Sequence, residues 1–357
     1  MLFLYLSDFY LLGMGTWLLA LALGLIICAN RYRNWKGQPR KVRWVQWGLA
    51  LWTTVAMLTG VELFYALFYD QTDSFSMTNV SQRWYDLHVV RNRQGYRDDH
   101  PFLQRAADDR KRIVFLGDSF TFGHGVAHVA DRFSDRIAAS LEKVHPRQYE
   151  VANLGSPGHG TPEAVKILRD QILAEDYQVD VLVYAICLND IESFHAEKSQ
   201  RDVQRGSRKP SFFLFRDTYF FNLMYFRSQQ FTQPEVRDYF SYLRSYYTGE
   251  PWQQMQLALD EFLDLAKDHQ IDTRVVLFPF LQNLGPNYPF KAAHHQLVEY
   301  FRQRGIRVLD LEPILASHAQ ETLTVNRFDA HPNAKAHQLA AEAIQMHLLD
   351  DVFQKSN

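Results

Sequence analysis

Two long apolar stretches lie near the start of the chain, before any regular alternation begins. Phe9–Ala29 carries no charged residue, and Val45–Val61 continues after Glu62 as Leu63–Tyr69. At ~1.5 Å per helical residue, each stretch is long enough to cross the ~30 Å hydrocarbon core of a bilayer. The pattern therefore predicts a hairpin of two transmembrane helices within residues 1–70.

The loop between these stretches is basic and predicts how the hairpin is oriented. It contains Arg31, Arg33, Lys36, Arg40, Lys41 and Arg43 and no acidic residue, whereas Asp8, Asp70 and Asp73 flank the pair. Basic loops stay in the cytoplasm, so we expect a multi-pass anchor in the cytoplasmic membrane with the rest of the chain on the periplasmic side. A cleaved signal peptide is disfavoured because residues 1–12 hold no Lys or Arg. Glu62 could act as a functional intramembrane carboxylate, but its place near the outer boundary favours a snorkelling or hydrated side chain.

From Arg112 onward, short apolar runs alternate with amphipathic segments. The predicted strands are Ile113–Leu116, Tyr149–Asn153, Val179–Ile186, Arg274–Pro279 and Arg307–Leu311. The predicted helices are about Val129–Val144, Thr161–Ala174, Trp252–Asp268 and Ala292–Gln303, followed by Pro332–Leu349 with Pro332 in its first turn. This alternation is typical of βαβ units. We therefore predict, over residues 112–357, a three-layer α/β/α, flavodoxin-like domain with a parallel five-stranded sheet.

Two stretches do not follow this alternation. Residues 71–111 are polar with scattered aromatics and are predicted to form a juxtamembrane connector. Residues 191–250 form an insertion far longer than a usual loop, charged at first and aromatic from Phe212 onward. Four interpretations of this insertion stay open: a lid, a wall that stacks glycans, a surface that rests on the bilayer, and a helical excursion that packs on the sheet.

Composition excludes some classes of function. The formal net charge is −2 and the pI is about 6.7, whereas nucleic-acid-binding domains are usually strongly basic, so no nucleic-acid partner is predicted. The two cysteines, Cys28 and Cys187, lie in an apolar run and a candidate core strand, and no disulfide is predicted. No spacing is typical of a zinc site, so we predict no metal and no cofactor. His294 and His295 are expected on a helix surface.

Polar residues with catalytic potential follow the predicted strands. Ser119 comes after the first strand, Gly155 after the second and Asn189 after the third, and Asp329 and His331 precede the last helix. The carboxyl ends of parallel strands share one edge, so these residues should meet there. A serine hydroxyl needs a base within hydrogen-bond reach, which His331 can supply, and Asp329 can orient the imidazole. The arrangement favours acyl transfer over a mere cap of the following helix.

An oxyanion formed in acyl transfer needs hydrogen-bond donors that are already in place. The candidates are the N–H of Ser119, the N–H of Gly155 and the side-chain amide of Asn189. Other polar residues near this edge receive less weight. Asp118 and Asp190 are expected to cap turns. His124, His128 and His159 lie near the same edge, where one could contact substrate, but loop histidines are usually solvated and we expect these to be so.

Four separated blocks resemble the SGNH hydrolase superfamily, also called GDSL esterases and lipases. The matching residues are Ser119 in the turn Gly117-Asp-Ser119, Gly155, Asn189, and His331 with Asp329. The resemblance extends over about two thirds of the chain, from Arg112 to Leu349. Any single block arises easily by chance, but all of them in order, each at a strand end, form a specific match.

Two departures from the family pattern affect the site. Cys187 stands where the third block usually has Gly, which puts close backbone approach there in doubt. The last block is usually Asp-x-x-His, whereas this chain has Asp329-Ala-His331. A tighter turn would bring the carboxylate to the imidazole. Otherwise the enzyme would work with a Ser–His dyad.

The resemblance implies a serine esterase, acyl hydrolase or O-acyltransferase that forms an acyl-enzyme on Ser119. It also implies O-acylated extracytoplasmic glycans or lipids as substrates, with envelope or polysaccharide-assembly proteins as expected partners. Two alternatives stay open. One is a lipase or lysophospholipase at the membrane surface, and the other is a catalytically weak binding partner in a polysaccharide export or modification complex.

Overall fold

The computed structural model describes residues 6–194, 210–232 and 239–354. They form two compact units, each with its own apolar core. One comprises residues 6–87 and 210–232, here called the N-terminal unit, and the other comprises residues 88–194 and 239–354, here called the catalytic unit. The charged first part of the predicted insertion, residues 195–209, and residues 233–238 lie outside the described residues.

The elements are as follows. The helices are α1 (Asp8–Trp35), α2 (Pro39–Leu67), α3 (Asn79–His88), α4 (Ser119–Phe122), α5 (Phe133–Val144), α6 (Thr161–Lys166), α7 (Phe213–Asp217), α8 (Phe220–Thr232), α9 (Tyr239–Tyr246), α10 (Glu250–Asp268), α11 (Lys291–Gln303), α12 (Glu312–Ala316), α13 (Ala334–Ala343) and α14 (Asp350–Gln354). The strands are β1 (Lys111–Gly117), β2 (Tyr149–Asn153), β3 (Val181–Cys187), β4 (Asp272–Phe278), β5 (Arg307–Asp310), β6 (Thr324–Asn326) and β7 (Asp329–Pro332). Helices α6 and α13 each continue as a π-helical stretch, Ile167–Leu173 and Ile344–Leu348.

Two long apolar helices, α1 and α2, form a hairpin in the N-terminal unit. Their 28 and 29 residues are long and apolar enough to cross a membrane. The indole N–H of Trp52 donates to the Leu21 carbonyl at 2.8 Å, and that of Trp17 donates to Thr59 Oγ1 at 3.0 Å. These bonds pair the two helices, and many other apolar side chains stay exposed.

Glu62 differs from expectation, because it is buried rather than hydrated. Only 3% of its surface is exposed, and it accepts hydrogen bonds from Tyr10 and from the start of α8. A charged side chain inside an apolar unit needs such donors. Helix α3, within the predicted connector, was also not expected from the sequence.

The catalytic unit is built on a five-stranded parallel sheet in the order β2-β1-β3-β4-β5, which is the flavodoxin-like order. Helix α5 packs on β2 and α13, whereas α10 packs on β4 and α6. All residues of β3 are buried, as expected for a continuous apolar run covered on both faces. The α/β fold with two preceding apolar helices is therefore as predicted, and each predicted strand overlaps the observed one.

The segment before the last helix was predicted incorrectly. Pro332 is the last residue of β7 rather than part of a helix, and α13 begins at Ala334. Asn333 sets this start, because its side chain accepts hydrogen bonds from the N–H groups of Lys335 and Ala336, both at 3.0 Å. The strand β7 pairs with β6 in an antiparallel hairpin that the sequence analysis missed.

Two further expectations are corrected. His294 is not on the helix surface but is buried, with its Nδ1 2.7 Å from Asp310 Oδ1. His295, the neighbour of His294, is exposed, because consecutive residues of a helix point in different directions.

The predicted helix Val129–Val144 is divided into a 3-10 turn, Val129–Asp131, and α5.

The aromatic part of the insertion is divided between the units. Leu243 and Tyr246 of α9, with Tyr247, are buried in the core of the catalytic unit, and the Tyr247 hydroxyl donates to the Leu188 carbonyl at 2.8 Å. Residues 239–247 therefore form a helical excursion that packs on the domain. Residues 210–232 belong to the N-terminal unit.

Candidate active site

Ser119 lies at the carboxyl end of β1, where the strand order of the sheet reverses. It begins the four-residue helix α4, which Asp118 caps by accepting a hydrogen bond from the Phe120 N–H at 2.9 Å. Gly117 is needed at this turn, since a Cβ there would lie 2.6 Å from the Ala185 carbonyl oxygen. The Ser119 side chain is largely buried, with 8% of the residue exposed. Asp118 therefore has the capping role that the sequence predicts.

A continuous hydrogen-bonded chain links Ser119, His331 and Asp329. His331 Nε2 lies 2.8 Å from Ser119 Oγ, and His331 Nδ1 lies 2.5 Å from Asp329 Oδ1. The short Asp-x-His spacing is sufficient because both residues belong to β7. Side chains two residues apart on an extended strand point to the same face. The His331 N–H also donates to Asp329 Oδ1, at 3.1 Å.

His124 is a member of this cluster that the sequence analysis underestimated. It is 2% exposed, its Nε2 lies 3.1 Å from Asp329 Oδ2, and its ring centroid is 4.1 Å from that of His331. Gly123 ends α4 in a left-handed conformation, which turns His124 back towards the start of the helix. The His124 N–H donates to the Ser119 carbonyl at 3.0 Å. The expectation that His124 is a solvated loop residue is therefore wrong.

The pKa values of the two carboxyl groups near Ser119 are shifted in opposite directions. Burial alone would raise the pKa of Asp329, but the charge of His331 and the hydrogen bonds from His124 and His331 hold this pKa well below its ordinary value. Burial raises the pKa of Asp118, although hydrogen bonds from the Phe120 N–H and other neighbours partly oppose the effect. Asp329 is therefore the carboxylate that stays ionised beside the imidazoles.

Gly155 packs directly against the backbone of α4. A Cβ at this position would lie 2.4 Å from the Phe122 nitrogen and 2.7 Å from the Thr121 carbonyl carbon, so only glycine fits. Its N–H donates to the side chain of Asn153, with a distance of 2.9 Å to Oδ1. The structure thus brings Gly155 to the serine turn, with its N–H already engaged by an acceptor.

Asn189 follows β3 in a 3-10 helix, Leu188–Phe194, and reaches the same sheet edge. Its side chain hydrogen-bonds the Asp118 carboxyl group. Asn189 Oδ1 is buried and has no hydrogen-bond partner among the described residues. Asp190, which was expected to cap this segment, accepts a hydrogen bond from the Tyr184 hydroxyl at its Oδ2, at 2.7 Å. Cys187, at the position where the family usually has Gly, is fully buried at the end of β3.

His124, Asp329 and His331 also have the donor types and the spacing to hold a metal ion, since one possible ligand atom of each lies within 4.8 Å of the others. In this structure, however, their facing atoms are hydrogen-bonded to one another, and the remaining His331 nitrogen faces Ser119. The geometry is therefore that of a proton-transfer network. A second group, Asp98, Asp99 and His100, lies at the surface.

The comparison with protein families agrees with this fold. The model of the GDSL-like Lipase/Acylhydrolase family matches residues 115–339. No curated protein sequence matches the chain. Similar solved structures include a lipolytic G-D-S-L family protein from Veillonella parvula (14% identity, 67% of this chain and 98% of that chain, TM-score 0.40). Another is TesA (13% identity, 67% of this chain and 98% of that chain, TM-score 0.43). A third is the acetylxylan esterase Axe2 from Geobacillus stearothermophilus (13% identity, 69% of this chain and 96% of that chain, TM-score 0.42).

Proposed function

Because the chain belongs to the GDSL-like lipase/acylhydrolase family and is therefore an ester-bond hydrolase, we propose that Ser119 is its nucleophile. The observation that carries the proposal is the unbroken chain of hydrogen bonds from Ser119 Oγ through the His331 ring to Asp329. A serine becomes nucleophilic when an adjacent base removes its proton, and a third group that orients the base completes the arrangement.

The reaction proceeds through an acyl-enzyme. Ser119 Oγ attacks the ester carbonyl carbon while His331 Nε2 takes the hydroxyl proton. When the tetrahedral intermediate collapses, the bond to the alcohol breaks and His331 returns the proton to the departing oxygen. Water, or the hydroxyl of a sugar, then attacks the acyl carbon with His331 again as the base. The bond between the acyl carbon and Ser119 Oγ breaks, and His331 returns the proton to Oγ. Transfer to water makes the protein a hydrolase, and transfer to a sugar makes it an O-acyltransferase.

Asp329 and His124 support the base. Asp329, kept ionised, stabilises the imidazolium that forms on His331 and fixes the ring orientation. His124 binds the other carboxylate oxygen, at 3.1 Å, so that Asp329 is held from two sides. His124 touches neither the ester nor Ser119 Oγ in this scheme, and it acts as a positioning residue through Asp329.

The oxyanion of the tetrahedral intermediate requires donors near Ser119. The Ser119 N–H lies in the first turn of α4, where main-chain N–H groups have no acceptor inside the helix. The side-chain amide of Asn189 and the N–H of Gly155 complete the proposed set. Gly155 would share its N–H between Asn153 and the oxyanion, since Asn153 Oδ1 accepts it at 2.9 Å.

The proposed substrates are O-acylated glycans or lipids of the cell envelope. Two apolar helices precede the catalytic unit, and the six basic residues lie at or near the turn between them. These features support a multi-pass anchor in the cytoplasmic membrane with the catalytic unit on the periplasmic side. A membrane-held esterase on that side meets envelope glycans and lipids, and proteins of envelope or polysaccharide assembly are its proposed partners.

Hydrolysis of a panel of p-nitrophenyl esters by the full-length protein in detergent tests this proposal. We expect turnover that falls steeply as the acyl chain lengthens from acetyl. The turnover of these esters by Ser119→Ala should be lower by about 10⁴-fold or more. Ser156→Ala is the matched control, because Ser156 lies near the same sheet edge and has no role in the proposed chain. Full activity in Ser119→Ala would show that the mechanism is wrong.

A lipase or lysophospholipase is the second candidate. It is favoured by the exposed aromatic side chains of Phe212 and Phe213 in the N-terminal unit, which are features of lipid-contacting surfaces. A steep preference of the enzyme for long acyl chains would support it over an acetylesterase. The complete Ser119–His331–Asp329 chain argues against a catalytically weak binding partner, which would have no need of aligned proton-transfer groups.

A further inference from the structure

Glu62 is a buried carboxylate whose two oxygens are both engaged. Glu62 Oε1 accepts hydrogen bonds from the Tyr10 hydroxyl at 2.9 Å and from the Tyr219 N–H at 2.7 Å. Glu62 Oε2 accepts one from the Phe220 N–H at 2.8 Å. Burying a charge is costly unless it is well hydrogen-bonded, so this side chain requires its three donors. Residues 62 and 219–220 are far apart in sequence, and the carboxylate joins them.

The two main-chain donors come from the start of α8, the 13-residue helix of the insertion. N–H groups at a helix start have no acceptor within the helix, and the helix dipole makes that end favourable for a negative charge. The carboxylate of α2 therefore caps α8. The helix start is thus satisfied by Glu62 and is not a vacant anion site.

A second polar anchor fixes the same segment. The Asn79 N–H donates to Asn222 Oδ1 at 2.8 Å, and Asn79 Nδ2 donates to the carbonyls of Thr218 and Arg216 at 2.7 and 2.8 Å. Asn79 begins α3, which follows the hairpin in the chain. Residues 210–232 are therefore held to the N-terminal unit from both α2 and α3.

The Glu62 anchor lies near the end of the hairpin opposite the basic loop. Glu62 is five residues before Leu67, the last residue of α2, which corresponds to ~8 Å at 1.5 Å per residue. Its partner Tyr10 is two residues after the start of α1. The 29 residues of α2 exceed the ~30 Å hydrocarbon thickness by about 14 Å. The basic start of α2 takes about half of this excess, which leaves Glu62 near the boundary with the lipid headgroups at the other end.

Exposed aromatic side chains occur both in this segment and on α2. Phe212 and Phe213 are 53% and 60% exposed, and Phe64 on α2 is 50% exposed. A ring contact connects α2 to α8, because the ring centroid of Tyr65 lies 5.3 Å from that of Phe220. Tyr65 also contacts its neighbour Phe64, with the centroids 5.5 Å apart. Aromatic residues concentrate where membranes meet water, which explains an exposed aromatic surface beside a spanning helix.

We propose that residues 210–232 form a third membrane-contacting element, in which Phe212 and Phe213 enter the headgroup region of the outer leaflet beside α2. The partner of this surface is the lipid bilayer, and Glu62 is the anchor that keeps the segment at that depth. The proposal rests on membrane insertion of the hairpin, which is itself part of the proposed function. Of the four interpretations of the insertion, the proposal selects for residues 210–232 the surface that rests on the bilayer.

Photocrosslinking of the full-length protein in phosphatidylethanolamine–phosphatidylglycerol nanodiscs tests the proposal. A benzophenone amino acid replaces Phe213 in one sample and Phe64 in another, and lipid adducts are measured by mass spectrometry. Leu257 provides the matched control, since it is an apolar residue of the catalytic unit that is 70% exposed. We expect the lipid yield at Phe213 to be comparable with that at Phe64 and well above that at Leu257.

The outcomes separate the two proposals. Lipid adducts at Phe64 but not at Phe213 would overturn this inference alone, whereas no adduct at Phe64 would overturn the membrane anchor as well. Equal yields at Phe213 and Leu257 would mean that exposure alone produces the adducts, and would also overturn it. Glu62→Ala should reduce the yield at Phe213 and leave that at Phe64 unchanged. Glu62→Gln, which keeps one accepting oxygen, should give an intermediate yield, and no change in either variant would refute the anchor.

Discussion

Two buried carboxylates organise the two units of this protein, and they differ in the groups that surround them. Asp329 in the catalytic unit accepts hydrogen bonds from His331 and from His124. Glu62 in the N-terminal unit accepts them from a tyrosine hydroxyl and two main-chain N–H groups. Both carboxylates are almost fully buried, and each has at least three donors.

The difference between them lies in whether the donors can exchange protons. Imidazoles gain and lose a proton near neutral pH. The hydrogen bonds to Asp329 can therefore persist while the His331 ring takes up a proton and releases it during the reaction. Peptide N–H groups do not titrate, and a tyrosine hydroxyl does not ordinarily do so near neutral pH, so the bonds to Glu62 hold chain segments together without exchanging protons. Burial of an acid is therefore not by itself a sign of catalysis, and the chemistry of its donors distinguishes the two roles.

The largest effect is expected from making the same change at both carboxylates. Asp329→Asn keeps the shape of the side chain but cannot stabilise the imidazolium, so kcat/KM for ester hydrolysis should fall by about 10³–10⁴-fold. Glu62→Gln should leave kcat/KM on a soluble ester unchanged. Steady-state kinetics on the detergent-solubilised protein, with thermal unfolding to verify folding, measures both. Comparable losses in the two variants would remove the distinction drawn between the carboxylates.

A second prediction concerns a histidine that cannot take up a proton in the folded protein. Burial, and then the charges of Arg132, Arg136 and Arg97, lower the pKa of His337 from 6.5 to about 3. Its Nδ1 accepts the Phe133 N–H at 3.2 Å, so the neutral ring is required. Below pH 6.5 the unfolded chain binds a proton that the folded chain does not. Stability is therefore lost as the pH falls from 6.5 towards 3.

The contribution of His337 should be about 2 kcal/mol between pH 6.5 and 5, from 1.36 kcal/mol per pH unit. His337→Asn keeps an acceptor for the Phe133 N–H and does not titrate in this range. The loss of unfolding free energy on acidification should therefore be smaller by that amount in the variant. Denaturant unfolding at the two pH values measures it, with esterase activity at pH 7 as the folding control. Equal losses in both proteins would show that His337 is not the responsible group.

The smallest effect is expected at His124. His124→Phe removes the hydrogen bond to Asp329 Oδ2, so the pKa of Asp329 should be held less far below its ordinary value. The more basic carboxylate would then retain the proton on His331 more strongly. The acidic limb of the pH profile of kcat/KM should shift upward by about one pH unit or less. His124→Asn, which keeps an N–H donor, should shift it less.

Profiles measured from pH 5 to 9 decide whether His124 positions Asp329 or only packs against it. Asp118 and His337 also interact electrostatically with His331, and both are unchanged in these variants. A uniform drop in kcat/KM at every pH, with the limb in its original place, would assign His124 a packing role only.

The sheet and the order of the site residues could be predicted because their signals are local. A continuous apolar run such as β1 or β3 identifies a buried strand, and parallel strands necessarily bring their carboxyl ends to one edge. The GDSL-like family assignment, the α/β fold and the two apolar helices agree with the prediction for this reason. Ser119 and Asn189 reach the same edge for this reason, because each follows a strand of the parallel sheet, whereas His331 lies on β7 of the separate hairpin.

Other features depend on contacts that no local pattern encodes. The strand that lets Asp329 reach His331 has only four residues and ends in a proline, so its pattern is too short to identify it from the sequence. His124 enters the site because Gly123 reverses the chain in the left-handed region, with φ of 77°. Glu62 is buried only because α8, which follows it far along the chain, docks its first N–H groups on the carboxylate.

Covalent labelling of the nucleophile tests the central claim most directly. The full-length protein in detergent is treated with a fluorophosphonate, which reacts with activated serines, and the modified residue is identified by peptide mass spectrometry. The account predicts a single adduct on Ser119, no labelling of Ser119→Ala, and strongly reduced labelling of Asp329→Asn. An adduct on another serine, or no adduct on folded wild-type protein, would contradict the proposed mechanism.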